Sequence, residues 1–403
     1  METLSFKEDH ISQLPALKML INLGYTYLHP KVALKARNGK FSNVLLEPVL
    51  RDRLKKINTL KVSSSRSAEF SDANLAAGIL ALKQVSMAEG YIAASEKIYE
   101  LLTLGKALEQ SIDGDKKSFT LQYIDWKNPA NNVYHVTEEY EVARTGSKET
   151  YRPDLVLFVN GIPLSIIECK RPDIKKPIAQ AISQHLRNQQ EDGIRGLYIY
   201  AQSLVSISTD LGRYATLATP EKFWAHWEEK FESKKEEDHI NEKIYRLKNQ
   251  QLSSEARKEI FRDRPEVADF FYSLDADSVL PAPQDFYLYG LCSPTRLLDF
   301  VFNFILYDNG EKKIARYQQF FAIKKALRQV RQIEGGKRKG GVIWHTQGSG
   351  KSLTMVMLAQ AILLESSIKN PKIILVTDRT ELDDQISKTF AKCDVPVEKA
   401  ANC

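Results

Sequence analysis

The sequence predicts an α/β protein in two units, a core with mixed strand pairing followed by a unit organised around a phosphate loop. Three observations lead there. Residues 73–209 read as helix, four short strands in succession, helix and strands again, the order expected of an α/β core. GGVIWHTQGSGKSL, from Gly340 to Leu353, follows the plan strand, glycine-rich loop, helix. At 403 residues the chain exceeds what one ordinary core holds.

Taken in order, Asp9 to Leu23 and Val44 to Ile57 carry apolar residues at helical spacing, with Pro48 suited to a first turn. Lys61 to Asp72 is polar enough to be a loop, and Ala73 to Gly105 reads as a helical hairpin or one interrupted helix. Phe119 to Trp126, Val133 to Val142, Asp154 to Val159 and Leu164 to Lys170 are expected as strands. Ile178 to Gln190 should be helical, and Leu197 to Gln202 and Val205 to Thr209 strands again. The mixed-sign run Glu228 to Asp238 suits an exposed helix or a junction, and the Pro- and Asp-containing stretch after Leu274 suits a linker. These readings divide the chain into residues 1–270 with a core near 119–225, a linker at 271–290, and a second unit from 291 to 403.

Composition narrows the function. With 43% hydrophobic and 27% charged residues the chain has a globular profile, and no apolar run approaches the roughly 18 residues of a membrane span. METLSFKEDH lacks the layout of a signal peptide, so a cytoplasmic location is the default expectation. Cys169, Cys292, Cys393 and Cys403 are too scattered for a disulfide framework or a zinc site. The net charge is only +6, but Glu311 to Gly340 holds ten Lys or Arg against two Glu. That local excess suits phosphate contact by counterion release, or a solvated helix face and loop.

The most informative chemistry lies in YRPDLVLFVNGIPLSIIECKRP, from Tyr151 to Pro172. Asn160-Gly161 between two apolar runs signals a β-hairpin, and Glu168 and Lys170, two apart, share one strand face. A three-residue loop would set Asp154 opposite Glu168; two or four residues would leave it one position off. Paired carboxylates suit Mg²⁺, and a neighbouring lysine could orient water or offset charge on a phosphate. The pattern therefore points to metal-dependent cutting of nucleic acid, against a plain hairpin with solvated ends. Gln180 and Gln184, one helical turn apart just downstream, could face that site.

In the second unit, Val342 to Trp344 is expected as a strand, Gln347 to Gly350 as the turn, and Lys351-Ser352 as the start of a helix running to about Leu364. Backbone N–H groups around Gly348, Ser349 and Gly350 would cradle phosphate, Lys351 would reach the β- and γ-phosphates, and Ser352 would bind Mg²⁺. His345 stands where the generic pattern has Gly or Ala. Arg316, Tyr317 and Gln319 lie on an amphipathic helix upstream, where a Gln can pair with the adenine edge. Ile373 to Val376 is expected as a second buried strand before the turn Thr377 to Leu382.

These residues resemble the restriction (motor) subunit of type I restriction-modification enzymes. RPDLVLFVNGIPLSIIECK is similar to that family's nuclease hairpin, WHTQGSGKS to its ATP-binding loop and VTDRTELDDQ to its next helicase motif. IDWKNPANN, GRYATL and EKFWAHW are similar too, and Gln319 in Arg-x-x-Gln-x-x-Ala matches the adenine-reading glutamine of related helicases. The resemblance implies a restriction-endonuclease-like PD-(D/E)xK domain with Asp154, Glu168 and Lys170 as its active site. A partial RecA-like P-loop helicase domain would follow, binding ATP through Gly348 to Ser352 with Gln319 and Arg316. It further implies Mg²⁺, double-stranded DNA, and partnership with the methyltransferase (modification) and specificity subunits. Asn188 stands where the family's Gln-x-x-x-Tyr motif, counted from Gln184, has Tyr. With no later motor motif before Cys403, the chain is expected to be an N-terminal piece that does not hydrolyse ATP or translocate alone. The other reading is an inert DNA-docking or assembly module of the same complex.

Overall fold

The computed structural model describes residues 12–62, 66–365, 367–378, 380–395 and 397–398. Asp9 to Ile11 of the first expected helix, Ser63 to Ser65 of the polar loop, Arg379 of the expected turn and Cys403 lie outside them. The chain divides between Leu298 and Asp299 into two units.

The first unit is organised by a six-stranded sheet, with strands β1 (Thr26–Tyr27), β2 (Tyr134–Glu138), β3 (Leu155–Val159), β4 (Ile162–Cys169), β5 (Ser203–Ile207) and β6 (Gly212–Ala215) side by side in chain order. β1 and β2 are parallel, as are β4 and β5, and the other neighbours are antiparallel. Every residue of β3 and β4 is buried, which accounts for their continuous apolar runs: strands covered on both faces do not alternate. Helix α1 (Leu14–Asn22) packs on β2, and α2 (Pro177–Asn188) packs on β4 and β5. The Ala- and Leu-rich segment forms two helices, Asp72–Lys83 and Tyr91–Leu104.

Three expectations are corrected in this unit. Phe119 to Trp126 does not enter the sheet; Asp115–Leu121 pairs instead with Lys106–Ile112 in a separate ribbon, and the chain leaves it at Gln122. Leu197 to Gln202 is no strand, because Arg195–Tyr198 is helical and successive turns carry the chain to Ser203. A short buried apolar run satisfies either conformation, and here the return to a parallel strand decides it. The stretch 271–290 is no linker. Glu266–Ala276 and Pro283–Tyr287 are helices, Phe271 is fully buried, Lys248 pairs with Asp285 at 2.5 Å, and the Tyr287 hydroxyl donates to the Gly212 carbonyl at 2.7 Å.

The second unit holds helices α3 (Tyr317–Arg331), α4 (Lys351–Leu363) and α5 (Thr380–Lys392), with an Ile305–Asp308/Glu311–Ile314 hairpin. Phe320 anchors it, stacked 4.6 Å from Phe300 and 4.6 Å from Phe304. Val342 to Trp344 and Ile373 to Val376, expected as buried strands, have no ladder, and Val342 and Val376 are 94% and 89% exposed. A strand exists only where a neighbour takes its backbone N–H and C=O groups, and no strand among the described residues lies beside either segment.

Candidate active site

The site begins with a turn. Asn160 (φ 52°) and Gly161 (φ 83°) make a two-residue connection that pairs Val159 with Ile162. Gly161 is required twice over, since a Cβ there would lie 2.7 Å from the Leu46 carbonyl oxygen as well as straining a left-handed backbone. The Asn160 side chain is fully buried, accepting the Val133 N–H at 2.9 Å and donating to Tyr123 O at 2.9 Å and Asn132 Oδ1 at 2.7 Å.

Carried straight through, that two-residue register would set Asp154 opposite Ile167. A bulge between Pro163 and Ser165 shifts it by one, so that Ile167 faces Leu155 and the next pair is Glu168 with Asp154. The turn length and the bulge together give the effect of a three-residue loop. Asp154 is then locked by its Oδ2, which accepts the Cys169 N–H at 2.7 Å.

The structure therefore brings Asp154, Glu168 and Lys170 together. Lys170 Nζ lies 3.7 Å from Asp154 Oδ2, with both side chains largely buried. Glu168 is completely buried, and its carboxylate oxygens meet no protein donor, lying instead within hydrogen-bond reach of the Asp154 carboxyl. Burial pushes Asp154 up to about 6, with Lys170 and the Cys169 N–H pulling the other way. Glu168 is pushed well above the ordinary carboxylate range, first by burial and then by the Asp154 charge.

A hard divalent cation fits this donor set. Two buried oxygens that meet no protein donor, within hydrogen-bond reach of a second carboxyl, carry an electrostatic cost that a cation would remove. Among the described residues no cluster of three or more metal-ligating side chains exists. One or two carboxylates with water and phosphate are the usual protein share for Mg²⁺.

Behind the carboxylates, α2 and the turn before β5 supply polar groups that sequence reasoning missed. His185, fully buried, places Nε2 at 3.2 Å from Val205 O and Nδ1 at 3.0 Å from the Tyr198 hydroxyl. Nε2 thus carries the proton and Tyr198 donates to Nδ1. Burial lowers His185 to about 3, so the ring is neutral. Asn188 Nδ2 donates to Tyr198 Oη at 3.4 Å. Asn188 itself, at the position where the resembling family has Tyr, was visible in the sequence, whereas its partner ten residues on was not. Of the two glutamines singled out, Gln180 is exposed and donates to Lys175 O at 2.8 Å, and Gln184 is half-buried on α2 with no hydrogen bond among the described residues. Neither has a hydrogen bond to the carboxylates among the described residues.

In the second unit, Gly348 (φ 77°) and Gly350 (φ 82°) take the left-handed turns that open α4. Lys351 Nζ donates at 3.0 Å to both His345 O and Thr346 O, curling the side chain onto the loop, while Ser349 Oγ donates to Thr346 O at 2.8 Å. Ser352 is half-buried in the first turn of α4. Gln319 is buried and bridges the elements: its Oε1 accepts the Arg316 N–H at 2.8 Å, and its Nε2 donates to Gly350 O at 3.1 Å. Arg316 is exposed. Gln319 is thereby joined to the glycine loop, with its amide committed to protein groups.

Comparison with known proteins gives the chain a family. Residues 5–223 match the family model described as type I restriction enzyme R protein N terminus, and residues 318–403 match that of the SWI2/SNF2 ATPase. The MjaIXP endonuclease subunit of Methanocaldococcus jannaschii, by its name a type I restriction enzyme, is 28% identical over 99% of this chain and 35% of its own length. The type I restriction enzyme HindI endonuclease subunit of Haemophilus influenzae is 28% identical over 95% of this chain and 32% of its own. A second Methanocaldococcus jannaschii relative, the MjaVIIP endonuclease subunit, is 31% identical over 68% of this chain and 22% of its own. The chain spans about a third of the length of the first two relatives. More than half of its residues fall within the first family model, and the chain belongs to the type I restriction enzyme R protein N-terminus family.

Proposed function

We propose that the first unit is a restriction-endonuclease-like PD-(D/E)xK nuclease site that hydrolyses phosphodiesters of double-stranded DNA. The observation that carries this reading is the Glu168 carboxylate, buried without a protein donor beside Asp154 and two residues from Lys170. Asp154 and Glu168 would hold Mg²⁺. When bound, the ion supplies Lewis-acid polarisation of the phosphate and a lowered pKa for its water. Lys170 orients the attacking water or offsets charge building on the phosphate oxygens. The Asp154 clamp to the Cys169 N–H keeps the strand ends in register through that work.

The second unit is read as part of a RecA-like ATP-binding domain, with Gly348, Ser349, Gly350 and Lys351 at the phosphates, Ser352 at Mg²⁺, and Gln319 and Arg316 on the nucleotide side. The relatives are named as endonuclease subunits of type I restriction enzymes, which supports a place in a restriction complex; on the family resemblance, modification methyltransferase and specificity subunits would be the partners, and ATP-driven translocation would accompany cleavage. In such a complex carrying this sequence, Asp154→Ala or Lys170→Ala abolishes DNA cleavage and leaves ATP hydrolysis intact. Cleavage retained in either variant rejects the assignment.

A further inference from the structure

We propose that Arg187 is a phosphate-gripping residue of the nuclease site, holding a DNA backbone phosphate beside Asp154 and Glu168. The inference rests on the nuclease reading and adds to it a residue that no motif marks.

Arg187 lies on α2, next to Asn188 and one turn beyond Gln184. Its guanidinium sits 4.4 Å from the centroid of the Tyr151 ring, three residues before Asp154. Its Nη2 and Nε donate to Asn188 Oδ1 at 3.1 and 3.4 Å. Asn188 is fixed in turn through Tyr198 and His185 to the Val205 carbonyl of β5, the strand paired with β4. Each link of that chain pairs a donor with a defined acceptor, so the guanidinium is aimed by a network that reaches the sheet.

The neighbouring arginines show what a structural arginine looks like here. Arg144 pairs with Glu149 and Asp192, Arg152 with Glu139, Arg171 with Asp173 and Arg195 with Glu191. Arg187 forms no ion pair among the described residues, although it is held at two points. It is solvent-exposed, with donors left over on a planar fork. A pre-aimed guanidinium without a carboxylate, on the helix that packs against the strand carrying Glu168, suits a phosphodiester: the fork matches two phosphate oxygens, and such contacts fix the register of a duplex.

The test is equilibrium binding of a short fluorescent DNA duplex to the chain in Ca²⁺, across a series of salt concentrations. Arg187→Ala is expected to weaken binding roughly tenfold and to reduce the slope of log affinity against log salt by about one, the signature of one lost phosphate contact. Arg187→Lys should be intermediate, keeping the charge without the fork. Arg66→Ala, which removes an exposed charge paired with Asp113, is expected to bind as the unmodified chain does. Unchanged thermal unfolding of Arg187→Ala shows that folding is intact. Affinity within twofold and an unchanged slope for Arg187→Ala overturn the proposal, as does an equal loss in Arg66→Ala, which would reduce the effect to net charge. Absence of cation-dependent duplex binding by the unmodified chain, with Asp154→Ala indistinguishable from it, removes the nuclease reading itself and the inference with it.

Discussion

Asp154→Asn is expected to stabilise the first unit when no divalent cation is present. The replacement keeps the shape, and the Asn carbonyl can still accept the Cys169 N–H that Asp154 Oδ2 accepts at 2.7 Å. What it removes is the cost of ionising a buried carboxyl whose pKa stands at about 6 against an ordinary 3.8. At about 1.4 kcal/mol per pH unit, that cost is about 3 kcal/mol at neutral pH. The attraction of Lys170 is already contained in that shift, so the net gain is about 3 kcal/mol. For a unit of this size the unfolding midpoint should rise by roughly 4–8 °C. The sign follows from linkage. A carboxyl whose folded pKa is raised contributes stability below its unfolded pKa and loses it as pH rises through the folded value. The variant's advantage is therefore full at pH 8, shrinks on descent through pH 6, and vanishes by about pH 4. The assay is thermal unfolding in EDTA at these three pH values, repeated with Mg²⁺, which should raise the midpoint of the unmodified chain and not that of the variant. An Asp154→Asn midpoint equal to or below that of the unmodified chain at pH 8 in EDTA would refute the electrostatic account of the site.

Three further outcomes are expected. Asn160→Ala removes three hydrogen bonds, two of them buried, and should cost about 3 kcal/mol by urea unfolding; a loss below about 1 kcal/mol would mean the turn is held by Gly161 alone. His185 has a lowered pKa, so its stabilising contribution is present above the unfolded value and fades as pH falls towards about 3, opposite in sign to Asp154. His185→Gln should flatten that acid limb, and an unaltered limb would show that other groups cause it. Lys351→Ala should abolish nucleotide binding measured by calorimetry, because the ammonium now held by His345 O and Thr346 O is the group that would turn to the β- and γ-phosphates; binding at unmodified strength would place the nucleotide elsewhere.

The route from sequence to site turns on what a one-dimensional pattern can carry. The hairpin was legible because Asn-Gly imposes a local backbone geometry, and the shared face of Glu168 and Lys170 because alternation along a strand is local too. The register that joins them to Asp154 was left open among three loop lengths, and the answer came from a bulge instead. Its signal was present in Pro163, since a proline inside a strand run belongs to an edge or a bulge. Val342 to Trp344 and Ile373 to Val376 failed for the converse reason, because apolar runs specify what a strand would bury but not the neighbour that completes its ladder. Arg187 was illegible for a third reason. Nothing in its local sequence separates it from Arg171 or Arg195, and only folding shows that those two meet carboxylates while Arg187 meets a tyrosine face and an asparagine oxygen. Local geometry can thus be read forward from residues, but the unsatisfied state of a charged group depends on every element packed around it. That is why Glu168, whose type and spacing were foreseen, became informative only once both its oxygens were found buried and without a protein donor.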